Sequence, residues 1–402
     1  MIFDSESVFE ENVITVLKQH GWKDGVLRYP TERDLLDNWK GILYRNNNDI
    51  DRLGKYPLTD GEMTQIIEQI ETLRTPLALN SFVNGRTVSI TRDNKEDVAH
   101  FGKEVSLYIY DRKEIAGGKS TYQIAQQPVY PAKNKMLNSR RGDLVLLING
   151  MPLIHIELKK SGIPVSQATN QIEKYAHEGV FTGLFRLVQI FVAMNPDDAV
   201  YFANPGVDKF NPSYYFHWAD YNNEPICGGQ NPGKDEWKLF IGGTSGTAGL
   251  LSIPMAHQLI GFYTIADSAD GCLKVLRSYQ YIAANAISDV VRKCDWEQRP
   301  ATPGRPGGYV WHTTGSGKTM TSFKSAQLIA DSHDADKVVF LMDRIELGTQ
   351  SLKEYRSFAD SETEVQGTEN TGVLRDKLNS TNVNDTLIVT SIQKMSNVKA
   401  GE

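Results

Sequence analysis

Apolar residues recur at helical spacing in three stretches near the start of the chain. The stretches cover about residues 6–20, 31–45 and 59–73, and the third opens with Thr59-Asp-Gly-Glu62, which has the form of a capping box. We interpret all three as core helices. Glu10 lies beside the apolar face of the first helix. We expect it to be solvated, and the alternative is a supporting carboxylate near a catalytic site.

From residue 78 the pattern changes to short runs in which apolar and polar residues alternate, which predicts strands at about 86–90 and 105–110. Two strongly apolar strands follow, joined at Asn149-Gly150, a typical hairpin turn. Next we predict a helix over 166–179, capped by Ser166 and ended by Gly179, and then strands at 185–194 and 199–203. These elements predict a mixed α/β sheet flanked by helices.

The second half of the chain begins after a region of loops, residues 204–249, whose glycine-rich end at 242–249 suggests a flexible joint. From residue 308 strands and helices alternate, with strands at 308–312, 337–342 and 385–390. This alternation is typical of a parallel sheet covered by helices. Because 402 residues exceed one ordinary domain, we predict two domains, residues 1–249 and 250–402.

Composition narrows the class of protein only a little. A net charge of -6 argues against a uniformly basic nucleic-acid binder, but it leaves room for a local basic groove. Three cysteines without metal-ligand spacing make a disulfide scaffold or a cysteine zinc site improbable. The chain has no signal peptide and no apolar stretch long enough to span a bilayer, so we expect a cytoplasmic protein without membrane contact.

Charged residues at the ends of the apolar hairpin form the first candidate site. Asp143 opens the first strand, and Glu157 and Lys159 lie on one face at the end of the second. Hydrolysis of a phosphodiester needs an activated water and neutralisation of the charge on phosphate, and a hard cation on oxygen ligands supplies both. We predict that Asp143, Glu157 and the carbonyl of Leu158 hold Mg²⁺, with Lys159 stabilising the transition state. The alternative is a purely structural hairpin.

The register of the hairpin sets a condition on this site. A two-residue turn at Asn149-Gly150 pairs Ile148 with Met151, so that Asp143 would pair with Ile156 and face away from Glu157. A shared metal therefore requires a β-bulge, an odd-length loop, or an Asp143 that lies beyond the end of its strand. We predict one of these three.

A locally basic segment precedes Asp143. It contains Lys133, Lys135, Arg140 and Arg141. Such a segment is either a solvated loop or a loop that grips DNA phosphates beside the catalytic residues. Arg140 and Arg141 are the candidate DNA contacts.

The second candidate site is Thr313-Thr-Gly-Ser-Gly-Lys-Thr319, between a predicted strand and a predicted helix. The glycines let backbone N–H groups face a phosphate at the positive end of the helix. Lys318 would reach the β- and γ-phosphates of ATP, and Thr319 would contact its Mg²⁺. The predicted nucleotide-binding residues are Thr314, Gly315, Ser316, Gly317, Lys318 and Thr319.

Taken together, these motifs resemble the R (endonuclease, HsdR) subunits of type I restriction enzymes. Asp143, Glu157-x-Lys159 and Gln171-x-x-x-Tyr175 match a PD-(D/E)xK nuclease domain, although Gly142 replaces the proline that usually precedes the acid. The resemblance implies that Gln171 and Tyr175 support cleavage.

The downstream half resembles the first RecA-like domain of superfamily 2 translocases. Gln280 matches the residue of the Q motif that recognises adenine, residues 312–319 match motif I, 340–344 motif Ia and 388–394 a further motif.

The resemblance implies a nuclease coupled to an ATP-driven DNA motor. It implies double-stranded DNA as substrate, Mg²⁺ and ATP as cofactors, and the methyltransferase (M) and specificity (S) subunits as partners of the full-length protein. The chain ends before a Walker B acid, so we expect a monomeric fragment that binds ATP but does not hydrolyse it alone. Two alternatives are a stand-alone helicase-nuclease of DNA repair or phage defence, and a nucleotide-binding scaffold with a structural hairpin.

Overall fold

A computed structural model describes residues 2–115, 117–131, 140–207, 209–231, 233–293, 307–343, 345–359 and 364–398. Lys133 and Lys135 of the predicted basic segment lie outside the described residues, as does Arg344 of the motif Ia match. The chain divides into two compact units, of which the first comprises Met1–Ile265 and Gly271–Arg277 and the second Ala266–Asp270 and Ser278–Glu402.

This division comes later in the chain than the predicted boundary at 249/250. Residues just after 249 pack inside the first unit, where the indole of Trp22 donates a 2.6 Å hydrogen bond to the carbonyl of Leu251. The segment 242–249, which we expected to be a flexible joint, contains a close backbone contact. A Cβ on Gly249 would lie 2.3 Å from the carbonyl oxygen of Ile241. Gly249 therefore permits a close approach of two backbone segments that a side chain would prevent.

The helices of the first unit are α1 (Glu6–Gln19), α2 (Glu32–Asn46), α3 (Asp60–Thr72), α4 (Pro76–Asn84), α5 (Val165–Glu178), α6 (Glu236–Gly242) and α7 (Met255–Gly261). Its strands are β1 (Val26–Arg28), β2 (Thr87–Thr91), β3 (Glu104–Tyr108), β4 (Tyr122–Gln126), β5 (Leu144–Ile148), β6 (Met151–Leu158), β7 (Ile190–Met194) and β8 (Ala199–Ala203), followed by β9 (Thr264–Asp267), whose last two residues belong to the second unit, and β10 (Cys272–Val275).

Local sequence signals account for most helix ends. Thr31 and Thr59 each close a capping box at the start of α2 and α3, which confirms the prediction for Thr59. Gly179 ends α5 in the left-handed conformation with a φ of 69°. The predicted cap of α5 is wrong, because the helix begins at Val165, after Pro164, and Ser166 already lies within it.

A six-stranded mixed sheet in the order β1-β4-β5-β6-β7-β8 forms the centre of the first unit. Its strands β5, β6 and β7 are buried along their whole length, and α5 contacts β6 and β7. The predicted strand at 185–194 starts only at Ile190, because Gly183–Leu187 forms a 3-10 turn. The sheet is antiparallel at β5–β6 and parallel at β6–β7.

A β-bulge in β6 resolves the register of the hairpin. Ile148 pairs with Met151 and Leu147 with Pro152, but the next pair is Leu146 with Ile154. Leu153 is therefore an extra residue on β6. Proline has no N–H to donate to the ladder, and it is tolerated beside a bulge because the ladder of hydrogen bonds is interrupted there. A bulge is one of the three solutions that the sequence predicted, so this prediction is confirmed.

The second unit contains the helices α8 (Ser278–Lys293), α9 (Lys318–Ser332), α10 (Ile345–Phe358), α11 (Thr371–Asn379) and α12 (Ile392–Ser396) and the strands β11 (Val338–Met342), β12 (Val365–Gly367) and β13 (Leu387–Ser391). The strands form a parallel sheet in the order β11-β13-β12. The predicted strand at 308–312 is not formed. Tyr309 and Trp311 are 90% and 88% exposed, and no described strand pairs with them.

None of the helices in the described ranges is both long and apolar enough to cross a membrane.

Candidate active site

The hairpin brings the predicted carboxylates together. Leu144 pairs with Ile156, so that Asp143, one residue earlier, and Glu157, one residue later, face each other at the end of the ladder. Side chains of directly paired residues share a face of the sheet. The Oδ2 atom of Asp143 accepts a 2.6 Å hydrogen bond from the backbone N–H of Leu158, which fixes its carboxylate at the strand end.

Burial perturbs both acids, and the charge of Glu157 perturbs Asp143 further. Burial raises the pKa of Glu157 to about 7, although the Lys159 ammonium partly offsets this effect. Burial also raises the pKa of Asp143 well above its ordinary value, and the nearby charge of Glu157 raises it further. Two adjacent carboxylates that resist ionisation form a site at which a bound cation lowers the free energy of the ionised pair.

Lys159 lies within the same group of side chains. Its Nζ atom is 3.6 Å from Oε1 of Glu157, 3.7 Å from Oε1 of Glu6 and 2.9 Å from the carbonyl oxygen of Leu158. The ammonium therefore contacts two of the three groups that were assigned to the metal. It is buried, so its charge acts in a medium of low dielectric constant.

The residues present fit a hard divalent cation. Both carboxylate oxygens of Glu157 are buried and accept no hydrogen bond, and the Lys159 ammonium, 3.6 Å from Oε1, offsets only part of the cost of burying their charge. The described residues contain no group of three or more His, Cys, Asp or Glu side chains arranged for a metal. Mg²⁺ does not need one, since it commonly uses one or two carboxylates together with water and phosphate oxygens.

Gln171 and Tyr175 contact the site through the backbone. The hydroxyl of Tyr175 donates a 2.9 Å hydrogen bond to the carbonyl of Arg141 and accepts one of 2.7 Å from the amide of Gln171. Arg141 lies two residues before Asp143. The pair on α5 therefore holds the segment that leads into Asp143, which is a supporting position rather than a contact with the carboxylates.

The expectation of a solvated Glu10 is wrong. This side chain is 3% exposed, and its carboxylate accepts hydrogen bonds from the amides of Gln126 (2.6 Å) and Gln127 (3.3 Å). Burial raises the pKa of Glu10, and the charge of Asp143 raises it further. The alternative interpretation, a supporting carboxylate beside the site, agrees with this position.

His155 is the functional candidate that the sequence reasoning missed. It is fully buried on the same face of β6 as Glu157, with its Nε2 atom 3.3 Å from Oε2 of that residue and its Nδ1 atom 2.8 Å from the hydroxyl of Tyr130. Burial lowers the pKa of His155 to about 4, so the ring is neutral. The period of two along β6 places residues 155, 157 and 159 on one face, and this signal was available in the sequence.

The two candidate DNA contacts differ in their surroundings. Arg140 forms two hydrogen bonds of 2.9 Å with the carboxylate of Glu178 on α5, which neutralises its charge. Arg141 is exposed, has no ion pair with any described residue, and lies with its guanidinium 5.9 Å from the ring centroid of Tyr29. Arg141 is therefore the better candidate for a phosphate contact.

A matched pair of substitutions tests this difference. Arg141→Ala is expected to reduce the slope of log affinity for duplex DNA against log salt by about 0.9, the contribution of one phosphate contact. Arg140→Ala is expected to change the slope much less, because Glu178 already neutralises that charge. Fluorescence anisotropy with a labelled duplex between about 50 and 200 mM salt measures both slopes. Equal slopes for the two variants would contradict the assignment.

The raised pKa of Glu157 predicts a pH-dependent stability in metal-free solution. The folded-state pKa lies above the unfolded value, so the stability contribution is present below about pH 4.5 and is lost as pH rises through about 7. Glu157→Gln removes this loss, which is on the order of 1–3 kcal/mol. We expect the melting temperature of the variant, measured by calorimetry in EDTA, to rise relative to that of the wild type between pH 5 and pH 8, a range that brackets that pKa. Parallel pH profiles would contradict this expectation.

The predicted phosphate loop lies at the start of α9 in the second unit. Gly315 and Gly317 have φ values of 79° and 83°, which curl the backbone, and α9 begins at Lys318 without a side-chain cap. The N–H groups of its first turn therefore remain available to an anion. The Nζ atom of Lys318 donates a 3.1 Å hydrogen bond to the carbonyl of Thr313 within the same loop, and Thr314 and Thr319 flank these residues.

Gln280 on α8 contacts the loop itself. Its amide lies 3.4 Å from the carbonyl oxygens of Ser316 and Gly317, and Tyr279 donates a 2.8 Å hydrogen bond to the carbonyl of Ser316. His312 is hydrogen-bonded to the hydroxyl of Ser316 at 2.8 Å. These contacts hold the curled loop, and they place Gln280 against its Ser316 and Gly317 residues.

Residues 4–210 match the family model of the type I restriction enzyme R protein N terminus, which covers more than half of the chain. The chain belongs to this family. The match includes every residue of the carboxylate site, from Glu10 to Tyr175. Residues 279–402 match a second model, the SWI2/SNF2 ATPase, and this match includes the phosphate loop and Gln280.

The names of similar proteins agree with this family. The chain is 32% identical to a type I restriction enzyme endonuclease subunit of Staphylococcus saprophyticus over 98% of its own length and 37% of that protein. A similar subunit of Staphylococcus aureus is 32% identical over all of the chain and 38% of its own length. The type I restriction enzyme EcoprrI endonuclease subunit of Escherichia coli is 26% identical over 77% of the chain and 90% of its own length. The chain thus spans less than two fifths of its staphylococcal relatives.

Proposed function

We propose that the first unit is a PD-(D/E)xK endonuclease domain that cleaves double-stranded DNA with Mg²⁺. The observation that carries this proposal is the buried Glu157 carboxylate, which has no hydrogen-bond partner on either oxygen and lies beside Asp143 and Lys159. A purely structural hairpin gains nothing from an unsatisfied buried carboxylate. A site that receives a cation gains from such a carboxylate, because its free oxygens can bind the cation.

Asp143, Glu157 and the carbonyl of Leu158 would hold the cation. When bound, Mg²⁺ lowers the pKa of its water and polarises the phosphate. Lys159 places a positive charge where negative charge develops on the phosphate oxygens, in a buried position where that charge is poorly screened. Tyr175 and Gln171 keep the entry to Asp143 in place through the Arg141 carbonyl, and Arg141 contributes a cation for the DNA backbone.

For the second unit we propose a RecA-like domain that binds ATP and contributes to DNA translocation. Support comes from the parallel sheet β11-β13-β12, the uncapped start of α9 and the match to the SWI2/SNF2 ATPase model. Lys318 would bind the β- and γ-phosphates and Thr319 the magnesium ion of ATP. Because the chain spans only 37% and 38% of its two staphylococcal relatives, we propose ATP hydrolysis for the whole protein.

The whole protein would then be the restriction subunit of a type I restriction-modification enzyme, acting with M and S subunits on double-stranded DNA. The names of the relatives support this role. The test is plasmid cleavage by the enzyme assembled from the full-length R subunit and its M and S subunits. Cleavage should require Mg²⁺ and should fail with Asp143→Asn, and cleavage that persists in both conditions would refute the assignment.

A further inference from the structure

His155 and Tyr130 form a buried pair directly behind the Glu157 carboxylate. His155 is 0% exposed and Tyr130 is 1% exposed, and the hydroxyl of Tyr130 lies 2.8 Å from Nδ1 of His155. On the other side of the ring, Nε2 lies 3.3 Å from Oε2 of Glu157. That contact does not meet hydrogen-bond geometry, and neither atom has a hydrogen-bond partner elsewhere among the described residues.

The direction of these contacts follows from the number of protons available. A neutral imidazole carries one N–H. If Tyr130 donates its hydroxyl proton to Nδ1, the ring proton is on Nε2 and faces the carboxylate. The opposite tautomer would direct a ring lone pair at a carboxylate oxygen and leave the hydroxyl proton of Tyr130 without this acceptor. The first arrangement gives the Tyr130 proton an acceptor and turns the ring N–H, not a lone pair, toward the carboxylate of Glu157.

Aromatic rings fix the orientation of His155. Phe181, Phe191 and Tyr175 lie edge-on to the imidazole with centroids 5.5, 6.0 and 6.3 Å away. These rings leave the imidazole little rotational freedom. Tyr175 thereby contacts the ring behind Glu157 while its hydroxyl holds the segment before Asp143.

Gly142 provides the space for this pair. A Cβ atom at Gly142 would lie 2.5 Å from the hydroxyl of Tyr130 and 2.8 Å from Cε1 of His155. Such distances are impossible without displacing the pair. The glycine in place of the usual proline before the acid is therefore explained by the tyrosine and histidine packed against it.

We propose that His155 is a positioning residue for Glu157, and that the Tyr130–His155 pair holds the carboxylate of Glu157 in the orientation that receives the divalent cation. This inference rests on the proposed nuclease function. Loss of a polar partner that orients a ligating side chain typically changes metal affinity 10- to 100-fold. The protein contains a suitable comparison in His257, which is also buried, with Nδ1 2.9 Å from the hydroxyl of Tyr122 and Nε2 3.0 Å from the carbonyl oxygen of Asp111.

Calorimetric titration of the 402-residue chain with Mn²⁺ tests the proposal without any cleavage. His155→Phe should weaken Mn²⁺ binding about tenfold or more, and His155→Gln, which keeps an N–H donor, should recover part of that loss. His257→Phe removes an equally buried imidazole and should leave the affinity unchanged. In the assembled enzyme, the Mg²⁺ concentration for half-maximal cleavage should shift in the same order.

Wild-type Mn²⁺ affinity in His155→Phe would overturn the proposal, as would an equal loss in His257→Phe. If His155→Phe does not fold, Tyr130→Phe decides the question, since it removes one hydroxyl and should still weaken binding severalfold. An Asp143→Asn variant with unchanged metal affinity and cleavage would instead refute the nuclease function itself. Loss of affinity in Asp143→Asn alone would refute only the role of His155.

Discussion

Replacing Asp143 by Asn is expected to lower the rate of DNA cleavage by the assembled enzyme by about 10²–10³ or more, while ATP hydrolysis stays near the wild-type rate. Asparagine preserves the size of the side chain and an oxygen for the Leu158 N–H, which donates the 2.6 Å hydrogen bond to Asp143. It removes the negative charge that a divalent cation requires. The loss should therefore appear in chemistry and not in folding.

Neighbouring residues provide controls for this experiment. Lys159→Ala should reduce cleavage to a similar extent, whereas Lys160→Ala should not, because Lys160 is exposed and its ammonium donates a 3.3 Å hydrogen bond to the carbonyl of Asp4 and not to the carboxylates of the site. Asp51→Asn is a matched change at an exposed position. Cleavage is measured on a plasmid with the recognition site, and ATP hydrolysis on the same samples. Parallel loss of both activities would indicate a defect of assembly and would contradict the assignment of Asp143 to the cleavage step.

Replacing Lys318 by Ala is expected to produce the complementary result in the full-length enzyme. DNA-stimulated ATP hydrolysis should fall by about 10² or more, because the ammonium that would neutralise the β- and γ-phosphates is lost. Metal binding at Asp143 and Glu157 should be unchanged, since those residues belong to the first unit. Cleavage should fall together with ATP hydrolysis if it depends on translocation.

Phosphate release in the presence of DNA measures this effect, and Lys353→Ala, an exposed lysine of α10, serves as the control. A local effect on the structure is expected from this substitution. Lys318 contacts the carbonyl of Thr313 within its own loop, so among the described residues its removal disturbs one local hydrogen bond and no ion pair. Wild-type ATP hydrolysis in Lys318→Ala would refute the phosphate-binding role.

The sequence predicted the site because its signals are local. Asn149-Gly150 marks the turn, and the charged ends of two apolar strands mark the acids. Counting residues from the turn also showed that a regular ladder would separate Asp143 from Glu157, so a bulge was one of three possible solutions. The position of the bulge was not predictable from the alternation of residue types. Every residue of β6 is buried, so apolar and polar residues do not alternate in a way that would show which residue is the extra one.

The features that the sequence did not reveal depend on residues far apart in the chain. Glu10 is buried because Gln126 and Gln127, more than a hundred residues later, supply its hydrogen bonds. The role inferred for His155 depends on its contact with Tyr130. No local sequence pattern shows where Tyr130 lies relative to β6. The strand expected at 308–312 was wrong for a related reason, since a strand requires a partner and residue types alone do not supply one.

The bulge in β6 also separates strand register from solvent exposure, two properties that usually change together. In most strands a slip by one residue exposes apolar side chains, so the hydrophobic core penalises it. Here every residue of β6 is buried, so a slip past Pro152 would expose no apolar side chain. Such a slip would instead turn Glu157 away from Asp143 and carry His155 and Glu157 to the opposite, buried face of the strand. The alignment of the two acids is therefore maintained by the cost of moving buried polar groups among apolar neighbours, and not by exposure of the core.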